Sequence, residues 1–210
     1  MNKTINQEPC LNMSVEDFFD GVIYDGIEGG IIYADLVKGI DAEAKYLVPL
    51  GLMCGTEFLG KLMPILSDHT DRDSCRDRFM RFLCRMDRPS FRYRLFNDML
   101  ISLFGKKNDI YSVFRCGIVH EYFVKPALLM TDGRTELKLG SVIARDTVGE
   151  GSIAIGQLKD GRLGMAYKDY FEDFVELLNF WREKIFKEKD KVWLKAFKDG
   201  LKSNDGDSIY

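Results

Sequence analysis

Histidine is scarce in this sequence, which limits the chemistry that the chain can perform. Only two of the 210 residues are His, at positions 69 and 120, and no clustered ligand spacing accompanies them. Since protein sites for transition metals are built mainly from grouped His and Cys side chains, we expect no metal and no other cofactor. His69 lies in the polar stretch 67–71 and is expected to be solvated.

The sequence also lacks paired cysteine motifs, long apolar runs and a large net charge. Its five Cys are odd in number, contain no Cys-x-x-Cys, and follow a start without the apolar segment of an export signal, so we expect reduced thiols in the cytoplasm. No run reaches the roughly eighteen apolar residues of a membrane span, so no membrane partner is expected. The net charge of −3 gives no global signal for nucleic acid, and RNA contact would need a local basic patch.

Apolar residues at helical spacing are abundant. Hydrophobic residues make up 46% of the chain and aromatic residues 12%, which is enough for one large domain with a real core. The 3.6-residue period predicts helices over 14–29, 31–63, 71–86, 90–104, 109–122 and 167–186. Breaks are expected near Gly29 and at Pro49. A last amphipathic segment ends near Phe197, and its packing on the core or on a partner stays open.

The periodicity changes between residues 126 and 166. Short apolar runs are separated there by Gly and Asp, with a strong hairpin signal at Asp160-Gly161 and a weaker one at Asp132-Gly133. We therefore predict a small antiparallel β element inserted before the last long helix. The fold class is interpreted as mainly α, in a single domain over 14–200. Its helical bundle covers 14–125 and 167–200, and the ends, 1–13 and 201–210, are expected to be flexible.

The segment 109–122 carries the most distinctive pair of side chains, Arg115 and His120. One side of an α-helix here would carry Ile110, Val113, Phe114, Gly117 and Glu121, while Ile118 would lie beside Arg115. Residues five apart on an α-helix point roughly 140° apart, so Arg115 and His120 would meet only across two facing copies. This predicts an isologous homodimer that uses the motif helix and the apolar face ending at Phe197.

This segment resembles the signature of the HEPN superfamily (higher eukaryotes and prokaryotes nucleotide-binding domains). In that family an Arg and a His, separated by four to six residues, lie on one helix of an all-α bundle. The stretch Arg115-Cys-Gly-Ile-Val-His120 has the four-residue spacing. The flanks Ile110-Tyr-Ser-Val-Phe and Glu121-Tyr-Phe are similar to the family, as is the earlier Glu57-Phe-Leu-Gly. Cys116 departs from the pattern, because the active nucleases usually carry Asn, Asp or His after the Arg.

The resemblance implies a metal-independent endoribonuclease that acts on RNA as a homodimer, as a toxin or defence protein with an antitoxin partner. His120 would be the general acid–base, and Arg115 would stabilise the charge of the phosphorane. The supporting residues would be Glu57, Cys116, Glu121 and Tyr122. Two alternatives stay open. One is a non-catalytic HEPN-like module that binds nucleotide, RNA or protein, which Cys116 and the net acidity favour. The other is a structural helical protein in which Arg115 only pairs with Glu57.

Two further sets of charged residues precede the motif. Glu57 lies in the stretch 50–63, which is apolar nearly all round, so it is either a solvated acid at the edge of the bundle or the partner of Arg115. A basic strip on one face of the next predicted helix consists of Arg78, Arg81 and Arg85. We interpret the strip either as a solvated, ion-paired face or as a phosphate-contacting surface that leads RNA to the motif.

Overall fold

The computed structural model describes residues 13–65, 73–86, 92–121, 128–131, 137–138, 155–158 and 163–202. This part of the chain is mainly helical, which confirms the predicted class. The helices are α1 (Val15–Phe18), α2 (Ile31–Asp41), α3 (Leu47–Lys61), α4 (Cys75–Met86), α5 (Arg92–Phe104), α6 (Tyr111–Glu121), α7 (Tyr167–Arg182) and α8 (Lys191–Lys202). A π turn continues α1 over Phe19–Ile23, and a second one continues α7 over Glu183–Lys187.

The helix boundaries follow from capping and from breaker residues. The Ser14 side chain accepts a hydrogen bond from the backbone N–H of Asp17 at 3.0 Å, which satisfies one of the free donors at the start of α1. α2 begins directly after Gly30, whose φ of 89° an L side chain rarely adopts. Pro49 lies in the first turn of α3, where no intrahelical donor is needed. The predicted break near Gly29 is therefore confirmed, and the break expected at Pro49 lies before it, at residues 42–46.

An aromatic cluster joins α1 to α7 and α8. Phe19 meets Trp181 edge-on, with ring centroids 5.3 Å apart, and Phe186 at 5.6 Å. Phe197 of α8 packs on Phe18 at 6.0 Å and on Trp181 at 5.6 Å. Phe197 is thus completely buried within its own chain. Because this chain's own α1 and α7 cover Phe197, that residue packs on the core, and a dimer interface on the rest of the apolar face stays a prediction.

The middle of the core combines aromatic packing with satisfied hydroxyls. The Tyr170 hydroxyl and the Thr56 hydroxyl are 2.8 Å apart and both are buried, while Tyr93 packs edge-on against Tyr170 at 5.6 Å. The Tyr93 hydroxyl donates to the Asp173 carboxylate at 2.6 Å. Burial raises the pKa of Tyr170, which keeps its hydroxyl neutral. These contacts tie α3 and α5 to α7, and they give both tyrosine hydroxyls a hydrogen-bond partner.

Three helices meet around the C-terminal end of α3 through two glycines. A Cβ atom at Gly60 would lie 1.8 Å from the backbone oxygen of Arg78 in α4, so only a glycine permits this approach. At Gly200 of α8, a Cβ atom would lie 2.7 Å from the backbone oxygen of Lys61. The end of α3 is therefore held by backbone-to-backbone contact on two sides.

Four short strands lie before α7. They are β1 (Leu128–Thr131), β2 (Leu137–Lys138), β3 (Ile155–Leu158) and β4 (Leu163–Ala166), in the sheet order β1-β4-β3-β2. The β2–β3 and β3–β4 pairs are antiparallel, whereas β1 is parallel to β4. Because β1 and β2 are not neighbours, the hairpin predicted at Asp132-Gly133 is wrong, and the pairing is mixed rather than antiparallel throughout. Asp160-Gly161 lies outside the described residues.

Two expectations about the whole chain are only partly covered by the structure. Within the described residues, no helix combines the length and the apolar character that crossing a membrane requires. The segments 1–12 and 203–210, which contain most of the predicted flexible ends, lie outside the described part. The domain limits of 14–200 stay a prediction.

Candidate functional site

Helix α6 carries the Arg–His motif and has π geometry along its length. In a π-helix each backbone N–H bonds to the carbonyl five residues earlier, so residues five apart lie on consecutive turns and on the same side of the helix. The Cα atoms of Arg115 and His120 therefore lie on one side of α6. Their expected divergence by roughly 140° assumed α geometry, and it is wrong. The geometric argument for a homodimer is therefore lost, and the homodimer itself stays a prediction.

The buried side of α6 packs against α3 and α5. Val113 and Ile118 are both in the core, and Ile118 is only 3% exposed. Phe114 packs on Phe96 of α5, with ring centroids 6.0 Å apart. The Tyr46 hydroxyl, just before α3, donates to the backbone oxygen of Ile118 at 2.8 Å. These contacts fix the rotation of α6 about its axis, and with it the direction in which Arg115 leaves the helix.

The start of α6 is anchored to α4 and α5. Asp109 is buried, and its Oδ1 atom accepts from the backbone N–H of Ser112 at 2.8 Å, as a helix cap does. Its other oxygen pairs with Arg76 of α4. The backbone N–H of Ile110 donates to Oδ1 of Asn97 in α5 at 3.0 Å. The motif therefore stands on a helix whose first turn is held from two sides.

Arg115 forms an ion pair with Glu57 of α3. The Nε atom of Arg115 lies 2.5 Å from Oε2 of Glu57, and the two side chains are only 16% and 15% exposed. Burial opposes the charge of Arg115, but the Glu57 carboxylate outweighs it and the pKa of Arg115 is raised. The predicted Glu57–Arg115 pairing is confirmed, and the alternative of a solvated Glu57 is wrong.

Three further side chains surround this ion pair. The Tyr111 ring lies beneath Arg115, with the guanidinium carbon 5.6 Å from the ring centroid, and burial raises the pKa of its hydroxyl. The pKa of Cys75 is raised, first by a hydrogen bond from its thiol to Glu57. Burial raises the pKa of Cys54, one turn before Glu57 on α3. The sequence carries a signal for Tyr111 alone, since it lies four residues before Arg115 on the motif helix.

This arrangement keeps the positive charge of Arg115 in a fixed position. Arg115 lies between a carboxylate and an aromatic ring, at a place that water reaches only in part. Such a guanidinium can meet an anion with little reorganisation. The pair with Glu57 is neutral as a unit, so an anionic group would compete with Glu57 for Arg115.

The remaining predicted site residues are only partly described. Cys116 is half-buried. The side chains of His120 and Glu121, and the whole of Tyr122, lie outside the described part of the structure. The structure therefore brings Glu57 and Arg115 together, and it gives the backbone position of His120 on the same side of α6.

The basic strip of α4 is engaged within the chain. Arg78 pairs with Asp73 at 2.9 Å. Arg81 is buried, and its two Nη atoms donate to the backbone oxygen of Gly60 at 2.9 Å and to Asp73 at 2.8 Å. That carbonyl is within reach because α4 approaches α3 so closely at Gly60. Arg81 thus serves to join α3 and α4.

Arg85 completes the strip one turn further along α4. One Nη atom donates to the backbone oxygen of Pro64 at 2.5 Å and the other to that of Arg81 at 3.1 Å. Its guanidinium carbon also lies 5.3 Å from the ring centroid of Trp193 in α8. All three arginines therefore have partners inside the protein, and their contact with RNA stays a prediction.

Comparison with known proteins adds no family to this description. No family model matches the sequence, and neither a curated protein nor a solved structure matches it significantly. Among the described residues, no group of three or more His, Cys, Asp or Glu side chains is placed to hold a metal ion. The site is thus defined by its own geometry: a mostly buried ion pair between Glu57 of α3 and Arg115 of α6, with His120 on the same helix as Arg115.

Proposed function

We propose that this chain is a HEPN-type, metal-independent endoribonuclease that acts as a cytoplasmic homodimer, in a toxin or defence role with an antitoxin partner. The observation that carries the proposal is the position of Arg115 and His120 on consecutive turns of one side of α6. Glu57 holds the Arg115 guanidinium at that side. The bundle with its short strands before α7 is then an HEPN-like fold with an inserted β element.

Cleavage of RNA by this pair needs no metal ion. The 2′-hydroxyl of a ribose attacks the adjacent phosphorus, and His120 takes the proton of that hydroxyl as general base. Arg115 stabilises the additional negative charge of the phosphorane. The bond to the 5′-oxygen of the next nucleotide then breaks, and that oxygen receives a proton from the imidazolium. The products are a 2′,3′-cyclic phosphate and a 5′-hydroxyl.

The homodimer enters the proposal through the resemblance, and the basic strip through its charge pattern. In the HEPN family the motif helices of two copies meet, so a second copy of α6 would complete the groove that holds the RNA. Arg78, Arg81 and Arg85 would then present positive charge along α4. Of the first two, Arg78 has the more exposed side chain, 24% against 6% for Arg81, so Arg78 is the better candidate for a phosphate contact.

The second candidate function is a non-catalytic HEPN-like module that binds nucleotide, RNA or another protein. The observation that favours it is the ion pair itself, because Glu57 already neutralises the charge that a phosphorane would need. Cys116, in the position where active nucleases carry a polar residue, favours the same reading. Binding without cleavage would distinguish this candidate from the nuclease.

The test is cleavage of mixed RNA substrates by the purified protein in EDTA. We expect cleavage that EDTA leaves unchanged, with products that end in 2′,3′-cyclic phosphate. His120→Ala should lower the rate by about 10²–10⁴, and Arg115→Ala by about 10²–10³, with helical circular dichroism unchanged. His69→Ala replaces the other His and is the matched control, which should keep full activity. A wild type that cleaves no RNA, or a His120→Ala protein that still cleaves, would leave the binding module in place of the enzyme.

A further inference from the structure

A cavity of about 750 Å³ lies on the side of the bundle where α1 and α8 meet. This volume is within the range of roughly 300–1,000 Å³ that is usual for small-molecule sites. Its apolar wall includes Phe18 of α1, Phe58 of α3, Phe186 after α7, and Leu194 and Leu201 of α8. Neither Glu57 nor Arg115 lines it, so its ligand is a separate question from the nuclease proposal.

The charged residues of this cavity are mostly cationic. They are Lys189, Lys198 and Lys202 against one acid, Glu16, which gives a local charge of +2 (three minus one). Within the described residues, none of these three lysines has an ion-pair partner. The lysines just before them differ: those at positions 184 and 187 pair with glutamates. Among the described residues, positive charge is thus left uncompensated at the border of the cavity.

The residues of α8 that line the cavity form a stripe of alternating leucines and lysines. Leu194, Lys198, Leu201 and Lys202 recur at intervals of three and four residues and share one face. Lys198 and Lys202 are four residues apart, a spacing at which like charges repel and weaken a helix. An anion between their ammonium groups would remove this repulsion. The apolar members of the stripe, Leu194 and Leu201, belong to the apolar wall.

The polar groups of the cavity also limit the kind of ligand. Apart from the four charged residues, Ser14 is the only polar side chain that the described part of the chain contributes to the lining. A nucleotide or sugar would leave several hydrogen-bonding groups unpaired against this wall, which is costly. An alkyl chain has no such groups, and a single anionic head is enough to meet the lysines.

We propose that this cavity binds a single-chain carboxylate of the fatty-acid type. The alkyl chain lies against Phe18, Phe58 and Leu194, and the carboxylate lies between Lys198 and Lys202. Lys189, whose backbone has a φ of 51°, adds a third ammonium group from the loop before α8. Burial of successive methylene groups then sets the affinity, and the lysines select for negative charge.

The test uses the full chain and isothermal titration calorimetry below the micelle-forming concentration of each ligand. Octanoate, decanoate and dodecanoate should bind with affinities that rise about three- to fourfold per methylene group until the cavity is full. Dodecanol and dodecyltrimethylammonium have the same chain without the negative charge. We expect dodecanol to bind at least about tenfold more weakly than dodecanoate, and the cation not to bind.

Two variants locate the site. Replacing both Lys198 and Lys202 by Gln should weaken dodecanoate binding by about tenfold or more and leave dodecanol binding unchanged. Lys195→Gln is the matched control, because Lys195 is exposed on the same helix but does not line the cavity, and it should bind dodecanoate like the wild type. Equal affinity for dodecanol and dodecanoate, equal effects of the two sets of substitutions, or no dependence on chain length would overturn the proposal.

Discussion

At the scale of single residues, Glu57 connects three helices. It projects from α3, pairs with Arg115 of α6 and accepts a hydrogen bond from the thiol of Cys75 in α4. Since both members of the ion pair are mostly shielded from water, removal of either one leaves the other charge without compensation. Glu57 therefore contributes to stability as well as to the orientation of Arg115.

The stability of Glu57 variants tests this role. We expect Glu57→Ala to lower the free energy of unfolding by roughly 2–4 kcal/mol, somewhat below the ~3–5 kcal/mol typical of fully buried pairs. Glu183→Ala breaks an exposed pair with Lys187 and should cost less than about 0.5 kcal/mol. Urea denaturation of both variants and the wild type gives the values. A loss for Glu57→Ala as small as that of the control would contradict a buried, paired Glu57.

The reactivity of Cys75 gives a second test at this scale. Its hydrogen bond to Glu57 stabilises the neutral thiol, so the pKa of Cys75 is raised above its ordinary value of 9.0 and less thiolate is present at a given pH. We expect the rate of alkylation by iodoacetamide, followed by mass spectrometry of the Cys75 peptide, to keep rising with pH beyond pH 9 before it levels off. Glu57→Gln should move this profile to lower pH, and an unchanged profile would show that the hydrogen bond does not control the thiol.

The sequence predicts some of these residue contacts and not others. The pairing of Glu57 with Arg115 is predictable, because a carboxylate in a stretch that is apolar all round needs a cation. The burial of Arg81 is not, because its acceptor is a backbone carbonyl at Gly60 that only the close approach of α3 and α4 brings within reach. Spacing along one helix says nothing about such an approach.

At the scale of elements, the π geometry of α6 is the feature that the sequence does not reveal. The apolar positions 110, 113, 114, 117 and 118 recur at intervals that suit either α or π bonding. No proline marks the change, and the two bonding patterns differ by one residue of register. The difference nevertheless decides whether Arg115 and His120 diverge or lie on one side. Functional pairs on a helix thus depend on the hydrogen-bond register as much as on sequence spacing.

The contact between α3 and α4 gives a test at the same scale. Gly60→Ala would place a methyl group 1.8 Å from the backbone oxygen of Arg78, so the two helices must separate. We expect the free energy of unfolding to fall by about 1–3 kcal/mol or more, as in overpacked cores. Gly21→Ala is the control: the nearest atom to its methyl group is a Met13 carbon at 3.8 Å, so it should be neutral or stabilising. Equal urea midpoints for the two variants would contradict the close approach.

At the scale of the whole molecule, the chain is expected to form a dimer. Two copies of the 24.2 kDa chain have a mass of 48.4 kDa, which sedimentation equilibrium at tens of micromolar separates clearly from the monomer. The dimer is expected because RNA would be held between two motif helices in an enzyme of the HEPN type. A monomer at these concentrations would count strongly against the nuclease and would not affect the proposed carboxylate site, which lies within one chain.

The mainly α class is predictable because long apolar stripes at helical spacing require helices that bury them. The elements against which each apolar stripe packs are less predictable. The sequence leaves the packing of the segment around Phe197 open, and the aromatic rings of Phe18 and Phe19 decide it. The parallel pairing of β1 with β4 is also beyond prediction, since hairpin signals report only strands that are neighbours in sequence.

The contact between Phe18 and Phe197 has a consequence for synthesis on the ribosome. These residues are 179 positions apart (197 minus 18), and the ribosome adds roughly 5–20 residues per second, so Phe18 waits about 10–40 seconds for its partner. During that time α1 has no α8 to cover its aromatic rings, and those rings are exposed to chaperones and to neighbouring nascent chains. Helix α1 is thus synthesised long before the helix that covers its aromatic rings.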